Sequence, residues 1–206
     1  MIDVVYRDDH LLVLNKPSGL LAVPGRGADL QDCLSARVQA EFPSALVVHR
    51  LDRDTSGLIV MALDADSQRA LNRQFAERRV EKQYAAVVFG CPTAASGTIE
   101  LAMRKDFDHP PRHCIDLVHG RPARTAWRVL DRGIDRSRLE IEPWTGRSHQ
   151  IRLHLATLGH PILGDNLYAH QEALEMAPRL LLHAEHLSLA HPHDGRSISW
   201  RAACPF

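Results

Sequence analysis

Residues 46–63 read Leu46-Val47-Val48-His49-Arg50-Leu51-Asp52-Arg53-Asp54-Thr55-Ser56-Gly57-Leu58-Ile59-Val60-Met61-Ala62-Leu63. Two short aliphatic runs, 46–48 and 58–63, enclose a segment that carries Arg50, Asp52, Arg53 and Asp54. Runs of that length and composition predict strands buried on both faces. Ionised groups set between two buried strands are costly unless they are paired. At least one of these charges is therefore expected to be used. The competing reading is an ordinary polar turn, with Asp54 and Ser56 making side-chain turns and Gly57 at positive φ.

On the N-terminal side, Val4-Val5-Tyr6 and 10–15 predict two short strands joined by Arg7-Asp8-Asp9, and Lys16-Pro17-Ser18-Gly19-Leu20 turns the chain. After the loop Pro24-Gly25-Arg26-Gly27, Asp29 is read as a helix N-cap. Leu30, Leu34 and Val38 follow at four-residue spacing, and Pro43 lies beyond the end. On the C-terminal side a helix capped by Asp64 or Asp66 carries Leu71, Phe75 and Arg78 on one side. The run 84–89 predicts a strand, and hairpins follow through 98–142. A further helix is expected from about Ser148, with Ile151, Leu155 and Leu158 on one face and Gly159 closing it. Strands are expected within 180–190 and at 197–200. Strands outnumber helices and are often neighbours in sequence. This predicts an α+β fold with a mixed, mainly antiparallel central sheet flanked by helices. No stretch reads as a linker, so the 206 residues are taken as a single domain.

Composition narrows the function classes. With 45% hydrophobic residues the chain can bury a core, yet no apolar run approaches membrane-spanning length, so no membrane association is expected. The first residues resemble neither a signal nor a transit peptide. Cys33, Cys91, Cys114 and Cys204 stand far apart, against a zinc ribbon or a disulfide framework, and suit a cytoplasmic protein with reduced thiols. The 25 basic and 25 acidic residues balance, so bulk charge does not point to nucleic acid. Local clusters at 69–82, 104–105, 112–113 and 121–124 do so weakly, since most such clusters are solvated faces. Thirteen histidines raise the question of a metal. His183-x-x-His186 and His191-x-His193 lack a carboxylate or cysteine at ligand spacing. His149 and His154, five apart on a helix, lie about 140° off a common face. No metal is expected.

Several motifs occur in order: Asn15-Lys16-Pro17-Ser18-Gly19-Leu20; His49-Arg50-Leu51-Asp52 with Thr55-Ser56-Gly57-Leu58; Glu81-Lys82-Gln83-Tyr84; the run from Thr145 to His154; the run from Gly159 to Asp165; and Leu182-His183-Ala184. Together they resemble the RluA-type pseudouridine synthases over almost the whole chain. The first motif begins so early that the chain resembles the short RluA subgroup without an S4-type RNA-binding domain. The resemblance implies the pseudouridine synthase catalytic fold. It also implies a substrate uridine in 23S ribosomal RNA, in the tRNA anticodon stem-loop, or in both. Isomerising uridine to pseudouridine breaks a C–N glycosidic bond, turns the base and forms a C–C bond. No oxidant, group donor or metal is needed, so no cofactor is expected.

The resemblance assigns the catalytic carboxylate to Asp52, either as nucleophile or as proton acceptor on the ribose. Shielding from water would raise the pKa of such a carboxylate, and a nearby arginine, assigned to Arg152, counters that. Tyr84 is expected to face the extruded base, where stacking is worth roughly 1–3 kcal/mol, and Leu182 to form an apolar wall beside it. Flipping a structured uridine costs a few kcal/mol. His49 and Arg50 are the residues expected to fill or brace the vacated stack. Arg147 and His149 are expected to contact phosphate or to order their own motif. Residues 104–119 are expected to form RNA-facing loops. The partner is structured RNA, and a monomer is expected. The alternative is a noncatalytic RNA-binding or RNA-chaperone protein with a synthase-like fold. Intact Asp52, Tyr84 and Arg152 argue against it.

Overall fold

The computed structural model describes residues 2–206. The chain runs through β1 (Val4–Arg7), β2 (Leu11–Lys16), α1 (Leu34–Glu41), β3 (Leu46–Val47), β4 (Ser56–Ala62), α2 (Ala65–Ala76) and β5 (Glu81–Phe89). It continues with β6 (Ser96–Glu100), β7 (Met103–Lys105), β8 (His113–Ile115), β9 (Arg124–Arg132), β10 (Arg136–Pro143), α3 (Gln150–Thr157), α4 (Gln171–Glu175), β11 (Leu182–Ala190) and β12 (Ser197–Arg201). The residues gather into two compact units, one reaching Lys82 and including His183–Phe206, the other Gln83–Leu182. No helix among the described residues is long and apolar enough to cross a membrane.

In the first unit the run 58–63 does what its composition predicts: all seven residues of β4 are buried. One edge of β4 pairs antiparallel with β2, from Leu11–Ala62 to Lys16–Gly57. The other edge is shared. β3 takes Met61 and Ala62 antiparallel, and β11 takes Ser56 and Gly57 in parallel register. The parallel pair makes the sheet mixed; β1 on β2 and β12 on β11 are antiparallel. Leu11, Val13, Leu58, Val60, Leu71, Leu187, Leu189 and Trp200 form the core. Helix α2 starts where Asp64 predicts, its carboxylate accepting the Ser67 N–H at 2.7 Å. Gln74 then fastens α2 to β11, accepting from Ala190 N and donating to Ala190 O.

Two local expectations are corrected here. The run 46–48 yields only the two-residue, half-buried β3, because the chain leaves the ladder at Val48. Asp29 does not cap a long helix. Residues Ala28–Leu30 make one 3-10 turn, closed by Leu30 N–H on Gly27 O at 3.3 Å, and α1 starts only after Cys33.

The second unit is wholly antiparallel in its strand pairing, with β5, β10, β9 and β6 in that order and β7–β8 as a separate hairpin. Ala86, Val88, Trp127, Leu139, Ile141, Ile151, Leu155, Ile162 and Leu182 make its core. Helix α3 departs from the amphipathic reading. Gln150 to Leu155 are all buried, whereas Leu158, expected on the apolar face, is 40% exposed. The polar members are buried at little cost because each is satisfied. Gln150 accepts from Thr145 Oγ1 and donates to Thr125 Oγ1 and Arg124 O. His154 Nε2 faces Leu101 O, which can only accept, so Nε2 carries the proton and Nδ1 accepts from Thr125 Oγ1 at 2.9 Å. Burial pushes the His154 pKa down and keeps that tautomer neutral. The helix begins after His149, not Ser148; His149 is left-handed (φ 59°, ψ 12°).

Candidate active site

The segment with Asp52 bridges β3 and β4, and neighbouring groups fix its path. At Val60, between the parts of the β4 edge used by β11 and β3, the ladder acceptor is a side chain: Val60 N–H donates to His49 Nε2 at 3.0 Å. Nε2 is therefore unprotonated, and the imidazole ring stacks on Phe75 at 4.5 Å. Burial, and secondarily the charge of Lys82, push its pKa down to about 3. By replacing a strand residue, His49 lets the backbone leave the sheet so that Arg50 reaches the surface and Leu51 turns inward.

The loop after Asp52 is gripped from below by the Lys16-Pro17-Ser18-Gly19 turn. Lys16 has 0% exposure, and its ammonium donates to three carbonyls: Pro17 O at 2.9 Å, Leu20 O at 2.7 Å and Arg53 O at 2.8 Å. Gly19 N–H also donates to Arg53 O, and Ser18 Oγ donates to Asp54 O at 2.7 Å. Within the loop Thr55 N–H returns to Asp52 O at 3.2 Å. Arg53 and Asp54 pair with each other at 3.1 Å, so two of the four charges shape the turn. Ser56 Oγ donates to His183 Nδ1 at 2.9 Å, while His183 Nε2–H donates to Ala202 O at 3.3 Å. Both ring nitrogens of His183 are thus used in structure.

Tyr84, Arg147, His149, Arg152 and Leu182 belong to the second unit. Tyr84 packs against the same apolar cluster as Leu182, which is 3% exposed. Arg147, His149 and Arg152 stand at the start of α3. Arg152 Nε and Nη2 donate to Asp165 Oδ2 and Oδ1 at 2.8 and 2.5 Å, a fork-on-fork pair whose side chains are 3% and 0% exposed. Nη2 also donates to Asn166 Oδ1 at 3.3 Å. Asp165 Oδ1 accepts in addition from Leu167 N and Tyr168 N, so the turn that follows is built on the same carboxylate. The Arg147 backbone N–H donates to Gln150 Oε1, while its buried Nε has no hydrogen-bond partner among the described residues. Nearby, Arg124 lies over the ring of the exposed Trp144 at 3.8 Å.

Lys16 and Asp165 lie within the motifs named above and Tyr168 just beyond them, yet no pattern in the sequence marks a role for Lys16 or Tyr168. A signal for Asp165 is present: a single carboxylate ends the apolar run Pro161-Ile162-Leu163-Gly164. Among the described residues no group of three or more His, Cys, Asp or Glu side chains is placed to hold a metal ion.

Known proteins resemble this chain over most of its length. The family model described as RNA pseudouridylate synthase matches residues 10–157. The dual-specificity RNA pseudouridine synthase RluA of Escherichia coli K12 is 48% identical over 204 residues, covering 98% of this chain and 93% of that protein. RluA of Haemophilus influenzae is 46% identical, covering 100% and 94%. Among solved structures, human RNA pseudouridylate synthase domain containing 1 superposes over the whole chain and 84% of its own, with a TM-score of 0.84 at 30% identity. Human RNA pseudouridylate synthase domain containing 4, at 24% identity and a TM-score of 0.78, shares the fold. The chain belongs to the RNA pseudouridylate synthase family and is an isomerase that converts uridine in RNA to pseudouridine.

Proposed function

We propose that this enzyme is a dual-specificity synthase of the RluA kind, modifying uridines in 23S ribosomal RNA and in the tRNA anticodon stem-loop. The observation that carries the reading is near-full-length identity of 46–48% to relatives bearing that name. The whole chain acts as one catalytic domain, as a cytoplasmic monomer.

Asp52 carries the chemistry. The C1′–N1 bond of a flipped-out uridine breaks, the base turns, and C1′ bonds to C5. The C5 proton leaves and N1 gains one, so the reaction is balanced without a co-reactant. The carboxylate either attacks the sugar–base unit or takes a proton from the ribose. Its loop is held at Arg53 O and Asp54 O. Arg152 is the arginine of the reaction, and its bidentate hold on Asp165 fixes its direction. Tyr84 offers a ring to the base, and Leu182 backs it. Arg50, exposed at the start of the loop, enters the vacated stack, while His49 positions that loop from within. Arg147 and His149 face the RNA backbone.

The test uses tRNA and ribosomal RNA transcripts tritiated at uridine C5, in the presence of a chelator. Bond formation at C5 releases tritium to water. Release by the wild type and none by Asp52→Ala is expected. Release that survives Asp52→Ala removes Asp52 from the reaction, and release from only one RNA class removes dual specificity.

A further inference from the structure

The β7–β8 hairpin stands apart from the main strands of its unit and is joined through only three residue pairs, Met103–Ile115, Arg104–Cys114 and Lys105–His113. A two-stranded ribbon of that size is marginal alone, so its position depends on what it docks against. Strand β7 exposes Lys105 and the flanking loops expose Arg112 and Arg121, beside Phe107 (77% exposed) and Val118 (82%), while Arg104 pairs with Asp116 at 2.6 Å. Cations interleaved with apolar and aromatic side chains suit RNA backbone and bases.

The docking partner is Tyr168. Its hydroxyl accepts the backbone N–H of His113, in β8, at 2.8 Å. The same hydroxyl shares a hydrogen bond with His149 Nδ1 at 2.9 Å. The Tyr168 ring packs with Ile115 against Met103, Ala123 and Leu153. The other end of the residue belongs to Arg152: the guanidinium lies 5.5 Å from the ring centroid, and Tyr168 N–H donates to the carboxylate that grips Arg152. His149, in the left-handed region where a non-glycine residue is strained, starts α3 by accepting Leu153 N–H on its carbonyl. One side chain thus touches the hairpin backbone, the strained entrance to α3 and the buried arginine.

We propose that Tyr168 is a positioning residue that couples the β7–β8 hairpin to Arg152, so that RNA engaged by the hairpin loops and the charge at the reaction centre are set by one joint. The hydroxyl holds the hairpin, and the ring lies against the guanidinium that Asp165 grips. The proposal rests on Arg152 belonging to the reaction centre and on the hairpin loops facing RNA.

The two functions separate by substitution. Tyr168→Phe keeps the ring and loses the hydroxyl, and Tyr168→Leu loses both. Steady-state tritium release from the C5-labelled tRNA transcript, measured well below each variant's melting temperature, is the readout. Tyr168→Phe is expected to raise KM roughly five- to tenfold, the effect of about one hydrogen bond, with kcat within about twofold of wild type. Tyr168→Leu is expected to raise KM similarly and to lower kcat as well. Unchanged KM in Tyr168→Phe, a fall in kcat in that variant, or equal kinetic losses in the two variants overturns the coupling. Arg152→Met, assayed alongside, separates the premises. Wild-type turnover there removes Arg152 from the reaction, whereas lost turnover with a kinetically normal Tyr168→Phe removes only the role of Tyr168.

Discussion

Replacing Lys16 by methionine tests how the loop of Asp52 is held. The side chain has no exposure, and its ammonium donates to Pro17 O, Leu20 O and Arg53 O. Methionine has similar length and no donor. Arg53 O keeps the Gly19 N–H, so two carbonyls lose the donor found here. Each unsatisfied group of this kind costs about 1–3 kcal/mol. Removing a buried ammonium returns part of that, because its own desolvation is no longer required. The net expectation is a loss of about 2–4 kcal/mol, which for a chain of this size lowers the melting temperature by roughly 5–15 °C. Gly19 N–H and Ser18 Oγ still hold the loop at Arg53 and Asp54. Turnover at 20 °C, measured by tritium release, should therefore stay within about tenfold of wild type, since roughly one contact is lost. Thermal melts followed by circular dichroism give the stability term. An unchanged melting temperature combined with lost turnover would refute the reasoning, because the ammonium would then act in the reaction and not in holding the loop.

His49 predicts a pH dependence. Its folded pKa of about 3 lies below the ordinary 6.5, so the unfolded chain binds a proton that the folded protein refuses. This contribution is complete above pH 6.5 and is lost as pH falls toward 3, by about 1.4 kcal/mol per unit. Urea midpoints between pH 7.5 and 4.5 should fall more steeply in the wild type than in His49→Gln, which keeps an acceptor for Val60 N–H but cannot titrate; parallel slopes contradict the assignment. Asp165→Ala takes one partner from a buried ion pair and should cost about 3–5 kcal/mol in stability, so a wild-type melting curve would show that Arg152 is held by other groups. Arg50→Ala, at an exposed position, should change stability by less than about 0.5 kcal/mol while slowing turnover on structured RNA. Unchanged turnover removes Arg50 from base flipping.

The elements legible in the sequence were those whose patterns reflect one local cause. The buried run 58–63 became the fully buried β4, and Asp64 capped α2. The readings that failed involved partners distant in sequence. Periodicity placed Leu158 inside and gave Gln150 and His154 no place. Those polar residues are buried because Thr125, Thr145 and Leu101 satisfy them, which no window along α3 can reveal. Likewise β3 stops early because His49 substitutes for backbone at Val60, a side-chain event invisible to strand propensity. The candidate site followed the same division. Motif resemblance named Asp52, Tyr84 and Arg152. The supporting layer of Lys16, Asp165 and Tyr168 emerged only when turns from separate motifs met within each unit.

Gly57 bears on how this loop could be moved to another scaffold. Its φ is +110°, and a Cβ there would lie 2.3 Å from Ala184 O and 2.5 Å from Ala184 N. The obstacle is backbone, which cannot swing aside as a side chain would. Beside it Ser56 is hydrogen-bonded to His183. The smallest transplantable piece therefore includes a strand that arrives more than a hundred residues later in the chain. A protein engineer copying only residues 49–58 would carry over the carboxylate and leave behind the surface that dictates its backbone.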